Sequence, residues 1–218
     1  MTQSRIVTSN QPGPHPRLEE VVRRHLKYPT RRPVHQPTQE VFEALAPRIE
    51  AWQGPLIFDS CCGVGESTSA IAKLHPDALV IGLDKSANRL ARHQGAGEAS
   101  ENYLLARVDL NDFWRLAVKA GWTLDYHYLL YPTPWPKAGH LQRRWHGSET
   151  FSDLVKLKGK LELRSNWKLY LEEFAIALDI AGYQSRLNSI EPDNPITPFE
   201  RKYQASLQPL WQLRADLS

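Results

Sequence analysis

Three acids stand at the ends of apolar runs: Asp59 after Leu56-Ile57-Phe58, Asp84 after Ala78 to Leu83, and Asp109 after Tyr103 to Val108. Between the first two lies the turn Ser60-Cys61-Cys62-Gly63-Val64-Gly65. A carboxylate leaving a strand can accept both hydroxyls of a ribose, and Asp84 has the position and spacing from Asp59 for that task in a nucleoside cofactor. Asp109, one strand further, could accept from an adenine amino group. Gly63 and Gly65 let the backbone approach a ligand closely, and the helix that follows offers free amides. The dinucleotide fingerprint Gly-x-Gly-x-x-Gly is absent, because Glu66, Ser67 and Thr68 follow Gly65, which argues against a nicotinamide enzyme. Capping of helices and shaping of turns remain open as alternative work for each acid taken alone.

A second chemical stretch is Tyr131-Pro132-Thr133-Pro134-Trp135-Pro136-Lys137, with His140, Arg143, Arg144, Trp145 and His146 close behind. It begins where the apolar run Leu124 to Leu130 ends, so it leaves the carboxyl end of a buried strand, where ligands of open α/β sheets sit. Each proline fixes its own φ and restricts the residue before it, so the loop is stiff. The cations Lys137, His140, Arg143 and Arg144, interleaved with Trp135 and Trp145, supply phosphate contacts and stacking faces together.

This loop resembles the Phe-Pro-Asp-Pro-Trp-Pro-Lys…His…Lys-Arg-Arg segment of bacterial tRNA (guanine-N7)-methyltransferases. Far downstream, Pro195-Ile196-Thr197-Pro198-Phe199-Glu200 is similar to that family's Pro-x-Thr-x-Phe-Glu motif, and the resemblance runs in order from about Phe58 to Glu200. The acid-ended strands with one glycine turn also resemble the S-adenosylmethionine methyltransferase pattern. The resemblance implies S-adenosyl-L-methionine as cofactor, held by Asp59, Cys61, Gly63, Gly65, Asp84 and Asp109. It further implies tRNA as substrate, with Lys137, His140, Arg143 and Arg144 on its phosphates. Four family positions that approach the target base correspond to Thr133, Asn166, Thr197 and Glu200. The first two are carboxylates in the family and are neutral here, and Cys61 stands where the family usually has glycine. Thr197-x-x-Glu200 also reads as a helix capping box. A divergent methyltransferase acting on another group, or a non-catalytic RNA-binding or partner-binding protein, stays open as an alternative.

The elements that must position these residues follow from periodicity. From Leu56 onward strands and helices alternate: strands end at Asp59, Asp84 and Asp109, then run over Leu124 to Leu130 and Gly159 to Arg164. Helical stretches cover Ser67 to Leu74, about Ser86 to His93, Asn111 to Lys119 and Trp167 to Ala181. Gln184 to Ile190 and Leu207 to Leu217 are expected to close the sheet as an antiparallel pair. The order predicts an α/β, doubly wound, mostly parallel sheet of about seven strands. Residues 37–218 are expected to form this domain. Residues 1–36 are read as an arm, mobile or draped through residue 16, and a short basic helix from Arg17 to Lys27.

The chain of 218 residues carries 27 Lys+Arg against 24 Asp+Glu, a net charge of only +3, so any nucleic-acid contact depends on local clustering rather than on the total field. Arg17, Arg23, Arg24, Lys27, Arg31 and Arg32 form one such cluster, read either as a phosphate track or as a solvated face. The start Met1-Thr2-Gln3-Ser4-Arg5 lacks an apolar signal core, no apolar run of membrane length occurs, and the two cysteines are adjacent, so a cytoplasmic, reducing setting is expected. The scattered histidines show no ligand spacing, and no metal is expected. The sequence leaves monomer and homodimer both open.

Overall fold

Runs of apolar residues bounded by acids and turns become strands, because a parallel sheet covered on both faces tolerates little polarity within its strands. A computed structural model describes residues 4–94 and 102–218. Its strands are β1 (Leu56–Ser60), β2 (Leu79–Asp84), β3 (Tyr103–Arg107), β4 (Tyr126–Leu130), β5 (Lys160–Ser165), β6 (Ser185–Ile190) and β7 (Leu210–Asp216). They form one seven-stranded sheet in the order β3-β2-β1-β4-β5-β7-β6. The five strands from β3 to β5 pair in parallel, whereas β7 is antiparallel to both β5 and β6. The doubly wound, mostly parallel sheet expected from the sequence is the fold of this chain. Its direction of winding reverses between β1 and β4, where Ile57 pairs with Val80 on one side and with Tyr126 on the other. A crevice opens at such a reversal, at the carboxyl ends of the strands.

The helices are α1 (Leu18–Lys27), α2 (Gln36–Glu50), α3 (Glu66–Leu74), α4 (Ala87–Leu90), α5 (Leu110–Lys119), α6 (Phe151–Lys156), α7 (Lys168–Ile180) and α8 (Pro198–Ala205). In α5, Leu110, Phe113, Trp114 and Ala117 recur at helical spacing and are buried, while Asp109 caps the first turn. Helix α7 buries Tyr170, Leu171, Phe174, Ala177 and Leu178 against β5, β6 and β7. Leu18, Val21 and Val22 of α1 join the same core through contacts with α6 and α7.

One local departure from expectation has a physical cause. The helix expected over Ser86 to His93 is confined to α4, because the amides of Arg92 and His93 bond carbonyls three residues back and the His93 ring is drawn to the Val64 carbonyl and the Tyr103 hydroxyl. After the proline loop the chain makes 3-10 turns at Ala138–Arg143 and Trp145–Gly147 and then enters α6. The arm before α1, as far as it is described, is draped rather than loose: Ser4 and Gln11 are each only 8% exposed. Residues 1–3 of that arm lie outside the described residues.

Candidate functional site

The carboxyl ends of β1, β2 and β4 and the starts of α5 and α8 surround a cavity of about 250 Å³. One half is lined by Cys61, Asp84, Lys85, Arg89, Asp109 and Asn111, the other by Tyr131 to Trp135, Arg143, Trp145, Asn166, Phe199 and Tyr203. Acids and cations dominate the first half. Aromatic rings and two neutral polar side chains dominate the second.

The turn after β1 has the backbone that its glycines were expected to allow. Gly63 and Gly65 sit at φ +63 and +76, and a Cβ on Gly65 would come within 2.6 Å of Leu105 Cδ1, so that position excludes side chains on two counts. Cys61 is also in the left-handed region, at φ 66. Burial pushes its thiol up to about 12, so it is a neutral, small lining group rather than a nucleophile. Asp84 is only 2% exposed. Its Oδ2 accepts from the Gly63 amide at 3.0 Å, its Oδ1 from the Ser86 amide at 2.8 Å, and Arg89 lies 3.2 Å from Oδ1. Asp109 Oδ1 accepts from the amide and the side chain of Asn111, at 2.9 and 2.8 Å, so its helix-capping work and its place in the cavity wall coexist.

Asp59 does not share that wall. It is fully buried behind the turn, where Oδ2 accepts from Ser67 Oγ at 2.6 Å and Thr68 Oγ1 at 2.7 Å, fastening α3 to the end of β1. Burial raises its carboxyl to about 6, against those two hydrogen bonds. Asp59, expected among the cofactor contacts, is thus placed behind the turn as its support.

The proline loop leaves β4 under strain, with Tyr131 at φ 54 and Trp135 at φ 47. Such conformations cost of order 1–3 kcal/mol each and persist only where surroundings impose them. The Tyr131 hydroxyl donates to Glu200 Oε1 at 3.0 Å, and Arg164 bonds the same oxygen at 2.6 Å. Glu200 Oε2 accepts from the Ile196 amide at 2.8 Å, while the Glu200 amide donates to Thr197 Oγ1 at 2.9 Å. Glu200 is 0% and Thr197 4% exposed. These two, expected to approach a target base, stand behind the cavity wall, where Thr197 caps α8 and Glu200 braces Tyr131. From the same helix it is Phe199 and Tyr203 that reach the cavity. Their spacing of four residues beside the capping box was the available signal. Thr133 and Asn166 line the cavity.

The paired arginines have opposite fates. Arg143 is exposed, with its guanidinium 4.8 Å from the centre of the Trp135 ring, and Lys137 is exposed beside it. His140 is half-buried, edge-on to Trp135 at 5.4 Å. Arg144 is 0% exposed. It pairs with Glu173, donates to the Trp135 carbonyl at 3.1 Å and the Lys137 carbonyl at 3.3 Å, and bonds Gln11 Oε1 at 3.1 Å. Arg144, expected on phosphate, is thus placed as an internal brace of the loop, and His146 joins it there, its Nε2 3.0 Å from Glu173 Oε2. Burial opposes charge on Glu173, yet the His146 hydrogen bond, the Arg144 guanidinium and the His15 amide bring its carboxyl down to about 2. The signal for this brace was a glutamate on the apolar face of α7, among Tyr170, Leu171 and Phe174.

The basic cluster at α1 is partly neutralised, since Arg17 and Arg24 pair with Glu20, Arg23 with Glu19, and Arg32 with Glu149. Among the described residues no group of acids, histidines or cysteines is placed to hold a metal, and no helix is long and apolar enough to cross a membrane.

Comparison with known proteins adds relatives to this geometry. A family model described as "Putative methyltransferase" matches residues 53–213. A tRNA (guanine-N(7)-)-methyltransferase of Mycobacterium avium is 28% identical over 165 residues, which cover 67% of this chain and 58% of that one. The chain thus aligns with less than two thirds of that relative's length. An enzyme of the same name from Pseudomonas aeruginosa is 29% identical over 178 residues, covering 74% of this chain and 70% of that one. Among solved structures, 16S rRNA methyltransferase KamB superposes with a TM-score of 0.58 at 16% identity over 80% of this chain and 93% of that one. A 16S rRNA (adenine(1408)-N(1))-methyltransferase from Catenulisporales acidiphilia, solved with cosubstrate SAM, gives 0.56 at 17% identity over 80% and 90%. At these identities the structural likenesses show the fold.

Proposed function

The chain belongs to this methyltransferase family, and from that premise we propose that it uses S-adenosyl-L-methionine to methylate N7 of a guanine in tRNA. One observation carries the reading: a single cavity joins an acidic half at Asp84 and Asp109 to an aromatic half holding Thr133, Asn166 and Trp135. The acidic half fits the nucleoside part of the cofactor, because Asp84 lines it with both oxygens oriented by backbone amides, and its carboxylate keeps acceptor capacity beyond those amides and Arg89. When bound, the cofactor supplies a sulfonium methyl. The relatives' names support the guanine target.

Guanine N7 has an in-plane lone pair and no proton to lose, so the chain's residues need to align and desolvate it rather than act as a general base. Trp135, Trp145, Phe199 and Tyr203 provide apolar walls, and the strained, braced loop keeps Trp135 in place. Thr133 and Asn166 offer acceptors to donors on the base edge, without the charge assistance of a carboxylate. Lys137, His140 and Arg143 stand at the exterior as candidate phosphate contacts. Two free thiols at Cys61 and Cys62 suit a cytoplasmic setting.

Calorimetry with S-adenosylhomocysteine and transfer of labelled methyl groups into tRNA, followed by nucleoside mass spectrometry, test the proposal. Binding together with 7-methylguanosine is the expected result; absence of binding removes every methyltransferase reading. A second reading, a methyltransferase of another base, is favoured by the neutral Thr133 and Asn166 and the burial of Glu200. It predicts a methylated nucleoside other than 7-methylguanosine.

A further inference from the structure

We infer that Gln208, anchored on the N-terminal arm, sets the polarity of Asn166 and makes that side chain a fixed hydrogen-bond acceptor for the substrate base; the inference rests on the target-base reading above. An Asn amide can present either its oxygen or its NH2 to a cavity, and the two choices recognise opposite edges. Here the choice is determined by a directional chain. It starts at the Ser4 carbonyl, which can only accept, and Gln208 Nε2 donates to it at 2.8 Å. The other end of the Gln208 amide must then be its oxygen, and Asn166 Nδ2 donates to that oxygen at 2.8 Å. Asn166 Oδ1 is left as the free end of a cavity-lining side chain, and no described residue donates to it.

The starting point of the chain is itself fixed. Ser4 is 8% exposed, and its amide donates to Ser206 Oγ at 2.9 Å. Further along the arm, Ser9 Oγ bonds the Pro136 carbonyl at 2.5 Å, and Gln11 Nε2 bonds Glu173 Oε1 at 2.5 Å. The arm therefore spans from the Gln208 region to the proline loop, touching the supports of both Asn166 and Trp135. With Oδ1 outward, Asn166 accepts from a ring N-H or amino group, which guanine presents on its Watson-Crick edge; with NH2 outward it would match the ring acceptor of adenine instead. Gln208 is a positioning residue that selects the first.

The test uses the full chain and compares Gln208→Leu, Asn166→Asp and the double variant in methyl transfer to tRNA. Gln208→Leu frees the amide to turn, and kcat/KM on guanine falls about tenfold, the order of one hydrogen bond to a base. The double variant recovers at least the wild-type value, because a carboxylate accepts on both oxygens whichever way it turns. S-adenosylhomocysteine affinity stays unchanged throughout. Wild-type kcat/KM in Gln208→Leu, or a loss that Asn166→Asp does not recover in a protein with native melting, overturns the inference. Should Gln208→Leu fail to fold, Gln208→Glu and Gln208→Lys supply the contrast: the first still accepts from Asn166 and holds kcat/KM, though it melts lower because it cannot donate to the Ser4 carbonyl, whereas the second can only donate and loses kcat/KM. A wild-type protein inactive on tRNA guanine defeats the proposed function instead. The inference is then read from the Asn166 side-chain amide in NMR spectra, whose protons exchange slowly in the wild type and rapidly in Gln208→Leu; equal exchange in both refutes it.

Discussion

Replacing Glu173 by glutamine should both destabilise the protein and loosen the proline loop. Glu173 is 0% exposed and receives bonds from Arg144, His146, Gln11 and the His15 amide. Its carboxyl titrates at about 2 instead of 4.5, which through linkage corresponds to on the order of 3 kcal/mol of stability. Removal of one partner from a buried ion pair independently costs about 3–5 kcal/mol, because the remaining Arg144 charge is stranded. Urea unfolding of Glu173→Gln at pH 7 should therefore show a loss of about 3 kcal/mol, and melting should fall by roughly 10 °C for a domain of this size. Since the folded carboxyl titrates below its unfolded value, this contribution is fully present above about pH 4.5 and disappears as pH falls toward 2. The variant's deficit should shrink across that window. Arg144 also holds the Trp135 carbonyl, so kcat/KM on tRNA should fall more than S-adenosylhomocysteine affinity. A variant within about 0.5 kcal/mol of wild type at pH 7, the range of ordinary surface changes, would refute the assignment of Glu173 as the brace of the loop.

Asp84→Ala should weaken S-adenosylhomocysteine binding by about 1.5–3 kcal/mol in calorimetry, as expected for bonds to a charged group. Replacement of Lys137 and Arg143 by alanine should lower tRNA affinity across sequences and reduce the salt slope by about one per phosphate contact; filter binding over a salt series measures it, and Arg144→Ala should instead lower the melting temperature. Thr133→Asp with Asn166→Asp should raise kcat/KM for guanine by about tenfold or more, since charge-assisted bonds replace neutral ones. A fall from a high wild-type rate would instead show that the neutral pair is adapted to guanine.

The parallel strands, their acid ends and the glycine turn were legible in the sequence because each follows from local rules: apolar runs of strand length, a carboxylate where a strand ends, and glycine where φ is positive. Asp84, Asp109 and Cys61 reach the cavity for that reason, and so do Asn166, directly after β5, and Thr133, in the loop that leaves β4. Local rules also gave the capping pair Thr197 and Glu200. They could not say which way a side chain faces once distant segments meet. Arg143 and Arg144 are adjacent and chemically identical, yet one stacks on Trp135 at the surface and the other is enclosed by Glu173 from α7 and Gln11 from the arm. Asp59 turns into the core toward Ser67 and Thr68, and Glu200 is enclosed because Arg164 and Tyr131 arrive from β5 and the end of β4. The polarity of Asn166 depends on a carbonyl 162 residues away in sequence, at Ser4, relayed through Gln208. A buried charge or amide must be satisfied by whatever partner the fold brings to it. Residue type therefore announces the need for a partner, and tertiary packing alone decides whether that partner is the protein or its ligand.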